Sequence, residues 1–214
     1  MVIEIDAETK AQVKETFAQL KDDVVLHLFV KDHDCLYCND TSDLANLVAD
    51  LSEKIRVETH KGELDSDAAK EMGVEYTPAI VLEGAKRYNV KFYGIPAGHE
   101  FGALIGTILD VSKGDTPLPA DIVEDIASVD KPVKIMVFVT PQCPYCPQMT
   151  RLAHQAAIIN PLISSQMIEA LEFQDLSGKY EVFGVPKTVF NDKTSVEGLT
   201  PHEMFLEKLF EAVE

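Results

Sequence analysis

The sequence predicts an α/β protein of two tandem units, each a mixed sheet flanked by helices. Three observations predict this. All four cysteines fall in two C-x-x-C pairs, "CLYC" at 35–38 and "CPYC" at 143–146. Shifting the chain by 108 residues lays one pair on the other, together with Tyr37 on Tyr145 and Pro78 on Pro186. At the same offset the apolar run "VVLHLFV" (24–30) falls on "PVKIMVF" (132–138). Such agreement marks an internal repeat, here too long for a solenoid and about the size of a small domain.

The first unit reads in order. Val13, Phe17 and Leu20 recur at helical spacing and predict an amphipathic opening helix. Val24–Val30 is short, apolar and β-branched, the composition of a buried strand. After the cysteine pair, Leu44, Leu47, Val48, Leu51 and Ile55 mark one face of a helix. "IRVETH" (55–60) is a second strand. "TPAIVLEG" (77–84) and "NVKFYG" (89–94) form two strands joined by a short turn. "PAGHEFGALIGTILDV" (96–111) carries a closing helical pattern. "SKGDTPLPAD" (112–121) has the Gly, Pro and polar residues of a linker. The expected units are therefore residues 1–113 and 114–214.

The second unit repeats the order. Ile122, Ile126 and Val129 open it, and strand Val133–Val139 follows. A helix from about Pro144 carries Met149, Leu152 and Ala156, with a break expected near Asn160–Pro161. "MIEALEFQD" (167–175) contains the next strand. "PKTVF" and "TSVEG" form a hairpin, and "PHEMFLEKLFEAV" is the last helix. Both units thus run β-α-β-α-β-β-α behind an opening helix, each cysteine pair lying between a strand and a helix.

Composition bounds the function. A hydrophobic content of 46% in 214 residues supports packed cores. The net charge of −17 divides into −9 for residues 1–113 and −8 for the rest, so neither half offers a basic footprint. Nucleic acid is not an expected partner, because phosphate neutralisation needs clustered Lys and Arg. The acidity reads as a solvated surface. The start "MVIEIDAETK" lacks the basic residues and apolar run of a signal peptide. No apolar run approaches the roughly 20 residues of a membrane span. The expectation is a soluble, cytoplasmic protein with no membrane partner.

The cysteines allow four readings. A shared four-cysteine zinc site usually separates its pairs by about 15–20 residues, whereas 104 intervene here. A structural disulfide across C-x-x-C closes too small a loop to constrain the unfolded chain much. Ordinary buried cysteines do not explain a repeated spacing. Thiol–disulfide exchange does, because C-x-x-C near a βαβ pattern is a redox signature. A first cysteine at a helix N-terminus meets free N–H groups and the positive end of the helix dipole. Pro144 suits the next position, where a missing N–H costs nothing. Cys38 and Cys146, one turn on, would then resolve mixed disulfides formed by Cys35 and Cys143. No metal and no cofactor beyond the dithiol pairs is expected. His27, His33, His60, His99, His154 and His202 are scattered and show no ligand spacing. Asp32, Asp34 and Asp40 surround the first pair, while Lys187 follows Pro186 near the second. Like charge disfavours a thiolate and a cation favours it. Cys143 is therefore expected to be the more acidic thiol, and its site the more oxidising.

"CPYC" resembles the active-site motif of glutaredoxins, and the strand–C-x-x-C–helix…Pro–hairpin–helix order resembles the thioredoxin fold. Two such units in tandem, with "YGIPAGHEF" (93–101) in the first, resemble the protein disulfide oxidoreductases of thermophilic archaea and bacteria over nearly the whole chain. The resemblance implies two tandem thioredoxin-fold units and an enzyme that reduces, forms or isomerises disulfides in protein substrates. It implies cis peptide bonds at Thr77–Pro78 and Val185–Pro186, facing the cysteines and offering backbone hydrogen bonds to a substrate chain. It also implies thioredoxin reductase as electron donor and a peroxiredoxin as one client. The alternative it carries is a dedicated electron carrier between those two, like the tandem region that serves peroxide reductases. Such regions commonly keep one working C-x-x-C, and two intact pairs favour the first reading. The sequence departs from the family pattern in three respects. It has no Trp. Phe29 and Val137 stand where thioredoxins keep a buried Asp. "NDKTSVEGLTPHE" does not reproduce the glutathione-binding stretch of glutaredoxins.

Overall fold

The computed structural model describes residues 5–214; the first four, at the start read above against a signal peptide, lie outside them. The Asp6 carboxylate accepts the Thr9 N–H at 2.8 Å and caps α1 (Ala7–Phe17). The first unit continues with β1 (Val24–Val30), α2 (Cys38–Ala49), β2 (Ile55–Lys61), α3 (Asp67–Glu71), β3 (Ala79–Glu83), β4 (Arg87–Tyr93) and α4 (Glu100–Lys113). Gly114, at φ 64°, ends α4 in the left-handed conformation that suits glycine at a helix C-terminus. The second unit holds α5 (Ala120–Ala127), β5 (Val133–Val139), α6 (Cys146–Ile159), β6 (Ile163–Glu169), α7 (Gln174–Lys179), β7 (Lys187–Phe190), β8 (Thr194–Glu197) and α8 (His202–Glu211). Among the described residues no helix is long and apolar enough to cross a membrane.

The predicted order of elements holds in both units, and the predicted break falls at Asn160, where α6 ends. There Asn160 Nδ2 donates to the Ile126 and Val129 carbonyls at 3.0 and 2.8 Å, and its Oδ1 accepts the Leu162 N–H at 2.9 Å. Three boundaries differ. The closing helix of the first unit starts at Glu100, because Gly94 and Gly98 take φ of 84° and 60° and keep 94–99 irregular. The same helix runs to Lys113, so the expected linker is shortened. The strand sought in 167–175 lies instead at Ile163–Glu169. Ser164, Ser165 and Gln166 break its apolar pattern, yet Ser165 and Gln166 are buried.

Their burial follows from a feature that the repeat does not encode. The two expected sheets fuse into one of eight strands, ordered β2-β1-β3-β4-β6-β5-β7-β8. Parallel pairing of β4 with β6 makes the seam, Val90 opposite Ser165 and Tyr93 opposite Ile168. Some polar groups buried at the seam find partners across or beside it, although His154 Nε2 and Gln166 Oε1 have none. His154 Nδ1 and Ser165 Oγ lie 2.8 Å apart, and Gln166 Nε2 donates to Glu75 at 3.4 Å. The Lys134 ammonium meets the Glu75 carboxylate at 2.8 Å. Between α4 and α6, the buried Asp110 carboxylate accepts from Arg151 at 2.5 Å and from Gln155 at 3.0 Å. An apolar layer lies on each face of the sheet, which is how a strand such as β1 is buried at all seven positions.

Candidate active sites

The first site is built where β1 ends. Its last residue is Val30, a loop then carries Cys35, and Cys38 opens α2. The two sulfurs are bonded, with Cα atoms 5.5 Å apart. Cys38 is buried and its sulfur accepts the Lys31 N–H at 3.3 Å. Cys35 is half-buried and lines a cleft of about 660 Å³ with Asp34, Leu36, Thr77 and Pro78. The Thr77–Pro78 bond is cis. The other wall comes from the second half of the chain: Leu171, Glu172, Phe173 and Gln174. Leu36 and Leu171 stand 82% and 58% exposed, an apolar rim around an open sulfur.

The second site repeats the skeleton at the end of β5. Cys143 and Cys146 are bonded, again with Cα atoms 5.5 Å apart. The N–H of Cys146, the first residue of α6, donates to the Cys143 sulfur at 3.1 Å. The Val185 carbonyl oxygen lies 3.7 Å from the same sulfur, and the Val185–Pro186 bond is cis. Both cysteines are buried, Cys143 at 7% exposure and Cys146 at zero. Tyr145 and Phe183 stand out nearby at 59% and 93%.

Each expected quartet is thus brought together: Cys35 and Cys38 with Thr77 and Pro78, and Cys143 and Cys146 with Val185 and Pro186. Two details are corrected. Pro144 precedes α6 instead of opening it; the proline in the first turn is Pro147. Lys187 does not hold its charge free for Cys143. Its ammonium donates to the Glu181 carbonyl at 3.1 Å and lies 3.3 Å from the Glu197 carboxylate. The local help for a Cys143 thiolate is the Cys146 N–H.

Two carboxyls escaped sequence reasoning. Glu100, the first residue of α4, is 1% exposed, and its oxygens make no close hydrogen bond, the Thr150 hydroxyl approaching them only weakly. Burial pushes its carboxyl up to about 7, against a smaller opposing pull from the Thr150 hydroxyl. Thr150 lies one turn along α6 from Cys146. The segment is fixed by the His99 N–H, which donates to the Pro141 carbonyl at 3.0 Å, just ahead of Cys143. Gly98 permits that approach, since a Cβ there would meet the Pro141 oxygen at 2.3 Å. The available signal was an acid opening the otherwise apolar run "EFGALIGTILDV". Glu172 sits in the Cys35 cleft and accepts the Ile95 N–H at 2.6 Å. Burial raises it to about 7 as well, with Glu169 and Asp40 adding to the rise. No local signal marks it, because its cysteine lies in the other unit. A larger cleft, about 800 Å³ between α4, α6 and the start of α8, contains neither sulfur pair; size does not mark the reactive atoms here.

Comparison with known proteins gives the same picture. A family model described as a thioredoxin domain matches residues 133–211. The crystal structure of a protein disulfide oxidoreductase from Aeropyrum pernix K1 is 31% identical, with a TM-score of 0.89, and the alignment covers 97% of this chain and 93% of that one. The NTD_N/C domain of the alkylhydroperoxide reductase from Enterococcus faecalis (V583) is 28% identical at a TM-score of 0.89, covering 96% of this chain and all of that one. An alkyl hydroperoxide reductase component of Pseudomonas aeruginosa is 26% identical over 96% of this chain and 37% of its own length. A protein named NADH dehydrogenase from Bacillus subtilis (strain 168) is 25% identical over 96% of this chain and 38% of its own. The chain therefore spans little more than a third of these curated relatives.

Proposed function

The chain belongs to the protein disulfide oxidoreductase family, and we propose that this thiol–disulfide oxidoreductase works on protein substrates through two dithiol sites, one in each of the units 1–113 and 114–214. One observation carries the reading: each half sets a bonded cysteine pair beside a cis-proline, at the junction of a strand and a helix. Cys35 and Cys143 are the attacking thiols and Cys38 and Cys146 the resolving ones. The greater exposure of the first member of each pair supports that order.

For reduction, the Cys35 or Cys143 thiolate attacks one sulfur of a substrate disulfide. The substrate S–S bond breaks, a mixed disulfide forms, and the departing thiolate takes a proton. The resolving thiol then loses its proton and attacks the mixed disulfide. The second substrate thiol leaves and the protein keeps the disulfide, so two electrons pass to the substrate. Oxidation is the reverse. Thr77 and Val185 offer backbone groups to an extended substrate segment beside Pro78 and Pro186. At the second site Glu100, contributed by the first unit, is the proposed proton acceptor for Cys146: it is buried against the Thr150 hydroxyl, one turn along α6 from Cys146, and its raised carboxyl exchanges a proton near neutral pH. At the first site the apolar rim of Leu36 and Leu171 favours unfolded or loop segments carrying apolar residues.

Two partners are proposed on the strength of the family resemblance. Thioredoxin reductase is the proposed electron donor, and a cytoplasmic setting suits a chain that must be recharged by it. A peroxiredoxin is the proposed client, and a second reading makes the protein a dedicated carrier to it. The specific support is that 96% of the chain aligns with the alkyl hydroperoxide reductase component. Reduction of insulin with NADPH and thioredoxin reductase tests the first reading. Activity is expected to fall in both C35S/C38S and C143S/C146S and to vanish when all four are replaced. Undiminished activity in the quadruple variant overturns it. Transfer only to a peroxiredoxin, with insulin untouched, selects the carrier.

A further inference from the structure

Away from both sulfur pairs, β1 and β2 run parallel with His27 opposite Glu58 and Phe29 opposite His60. Side chains alternate along a strand, so His27, Glu58 and His60 project from one face of the sheet. Their ligand atoms converge. His27 Nδ1 lies 3.2 Å from His60 Nε2 and 3.5 Å from Glu58 Oε2. Counting one ligand atom from each residue, all three lie within 4.8 Å of one another. Zinc bonds of about 2.0–2.2 Å in a tetrahedral shell require donors roughly 3.3–3.5 Å apart. The 3.5 Å separation meets that requirement and the 3.2 Å separation falls about 0.1 Å short of it.

The surroundings orient the donors. The His60 ring stacks on Phe29 with centroids 4.5 Å apart and planes 16° from parallel. His27 is 5% exposed, and its Nε2 lacks a hydrogen bond while standing 3.4 Å from Glu83 Oε2. A carboxylate beside the far nitrogen favours a proton there and turns the Nδ1 lone pair toward His60 and Glu58. That is the carboxylate–histidine–metal relation of metal sites. Arg56 holds the other Glu58 oxygen at 3.2 Å, and Arg87 holds Glu83 at 2.9 Å. These ion pairs fix both carboxylates but also compete with a cation, so moderate affinity is expected.

We propose that His27, His60 and Glu58 form a binding site for a divalent first-row transition cation of the zinc type, with Glu83 as the positioning residue and water completing the shell. Two imidazoles and a carboxylate are the donor set such ions take, whereas magnesium and calcium prefer oxygen donors. The ion clamps β2 to β1. It matters there because β2 is the outermost strand of the sheet and pairs with β1 alone. The rival arrangement is a hydrogen bond between two neutral imidazoles, with no ion.

The test is titration of the oxidised protein with Zn2+, both cysteine pairs being disulfides so that no thiolate competes. Calorimetry is expected to find one saturable site per chain, and the melting temperature is expected to rise with Zn2+. Co2+ in its place is expected to give tetrahedral d–d bands without a thiolate charge-transfer band. H60A and E58Q, both at side chains that are not fully buried, are expected to weaken binding at least about tenfold, and E83Q by about tenfold. No saturable binding, or unchanged affinity in H60A and E58Q, overturns the proposal and leaves the imidazole pair as a hydrogen bond.

Discussion

Cys35 opens onto a cleft edged by Asp34 and Glu172, whereas Cys143 is almost enclosed and receives the Cys146 N–H at 3.1 Å. Both sulfurs stand on the same strand–loop–helix skeleton beside a cis-proline. The difference therefore comes from what the rest of the chain brings to each. At the first site the visitor is the β6–α7 loop of the other unit, with its carboxyl and its apolar rim. At the second it is the 98–100 segment, which buries a carboxyl beside α6. The duplicated frame supplies two reactive pairs, and the fused sheet makes them unequal. An anion near Cys35 disfavours its thiolate, while a donated N–H favours that of Cys143. The second site should accordingly be the more oxidising, as the charges in the sequence suggested, but for a different reason.

The largest effect that sharpens this comparison is expected at Glu100. Between its ordinary value near 4.5 and its folded value of about 7, the folded protein holds a proton that the unfolded chain releases. Stability must then fall as pH rises through that window. Complete ionisation costs on the order of 3 kcal/mol. E100Q is expected to remove its own share of this slope, Glu172 keeping another, so that urea unfolding of the oxidised variant shows higher stability than wild type at pH 8 and little difference at pH 4.5. The same substitution should erase the inflection near pH 7 in resolution by Cys146 and leave Cys38 unaffected. An unchanged rate profile at the second site would remove Glu100 from the proton path.

A smaller effect is expected at Glu172. Its carboxyl also ionises at about 7, so its influence on Cys35 should appear only above that pH. In E172Q, alkylation of Cys35 at pH 8 is expected to quicken by about threefold, as a lowered thiol pKa requires, with no change at pH 6. The smallest effect is expected at Lys187. Because Glu181 and Glu197 already occupy its ammonium, K187Q should alter the reactivity of Cys143 by less than about twofold. A larger change would restore the role that its sequence position suggested.

Much of the skeleton was legible because it is local. The apolar runs, the cysteine spacing and the prolines at fixed distance fall within single units, and each element formed near its expected place. What stayed hidden depends on contacts between units or between elements brought together only by the fold. Ser165 and Gln166 lie outside the predicted strand, yet they belong to β6 and are buried where β4 meets it. Glu172 belongs to the first site only through the fold. His27 and His60 showed no ligand spacing because parallel strands, paired across α2, bring them together. Lys187 was visible, but the direction of its side chain was not.

Inequality of the two sites is the central consequence of fusing two copies of one frame. Redox titration of C35S/C38S and C143S/C146S against a dithiol buffer measures it, each variant reporting the pair that remains. The pair Cys143–Cys146 is predicted to have the higher potential by some tens of millivolts, about 30 mV for each tenfold difference in equilibrium constant. Equal potentials, or a more oxidising Cys35–Cys38 pair, would contradict it.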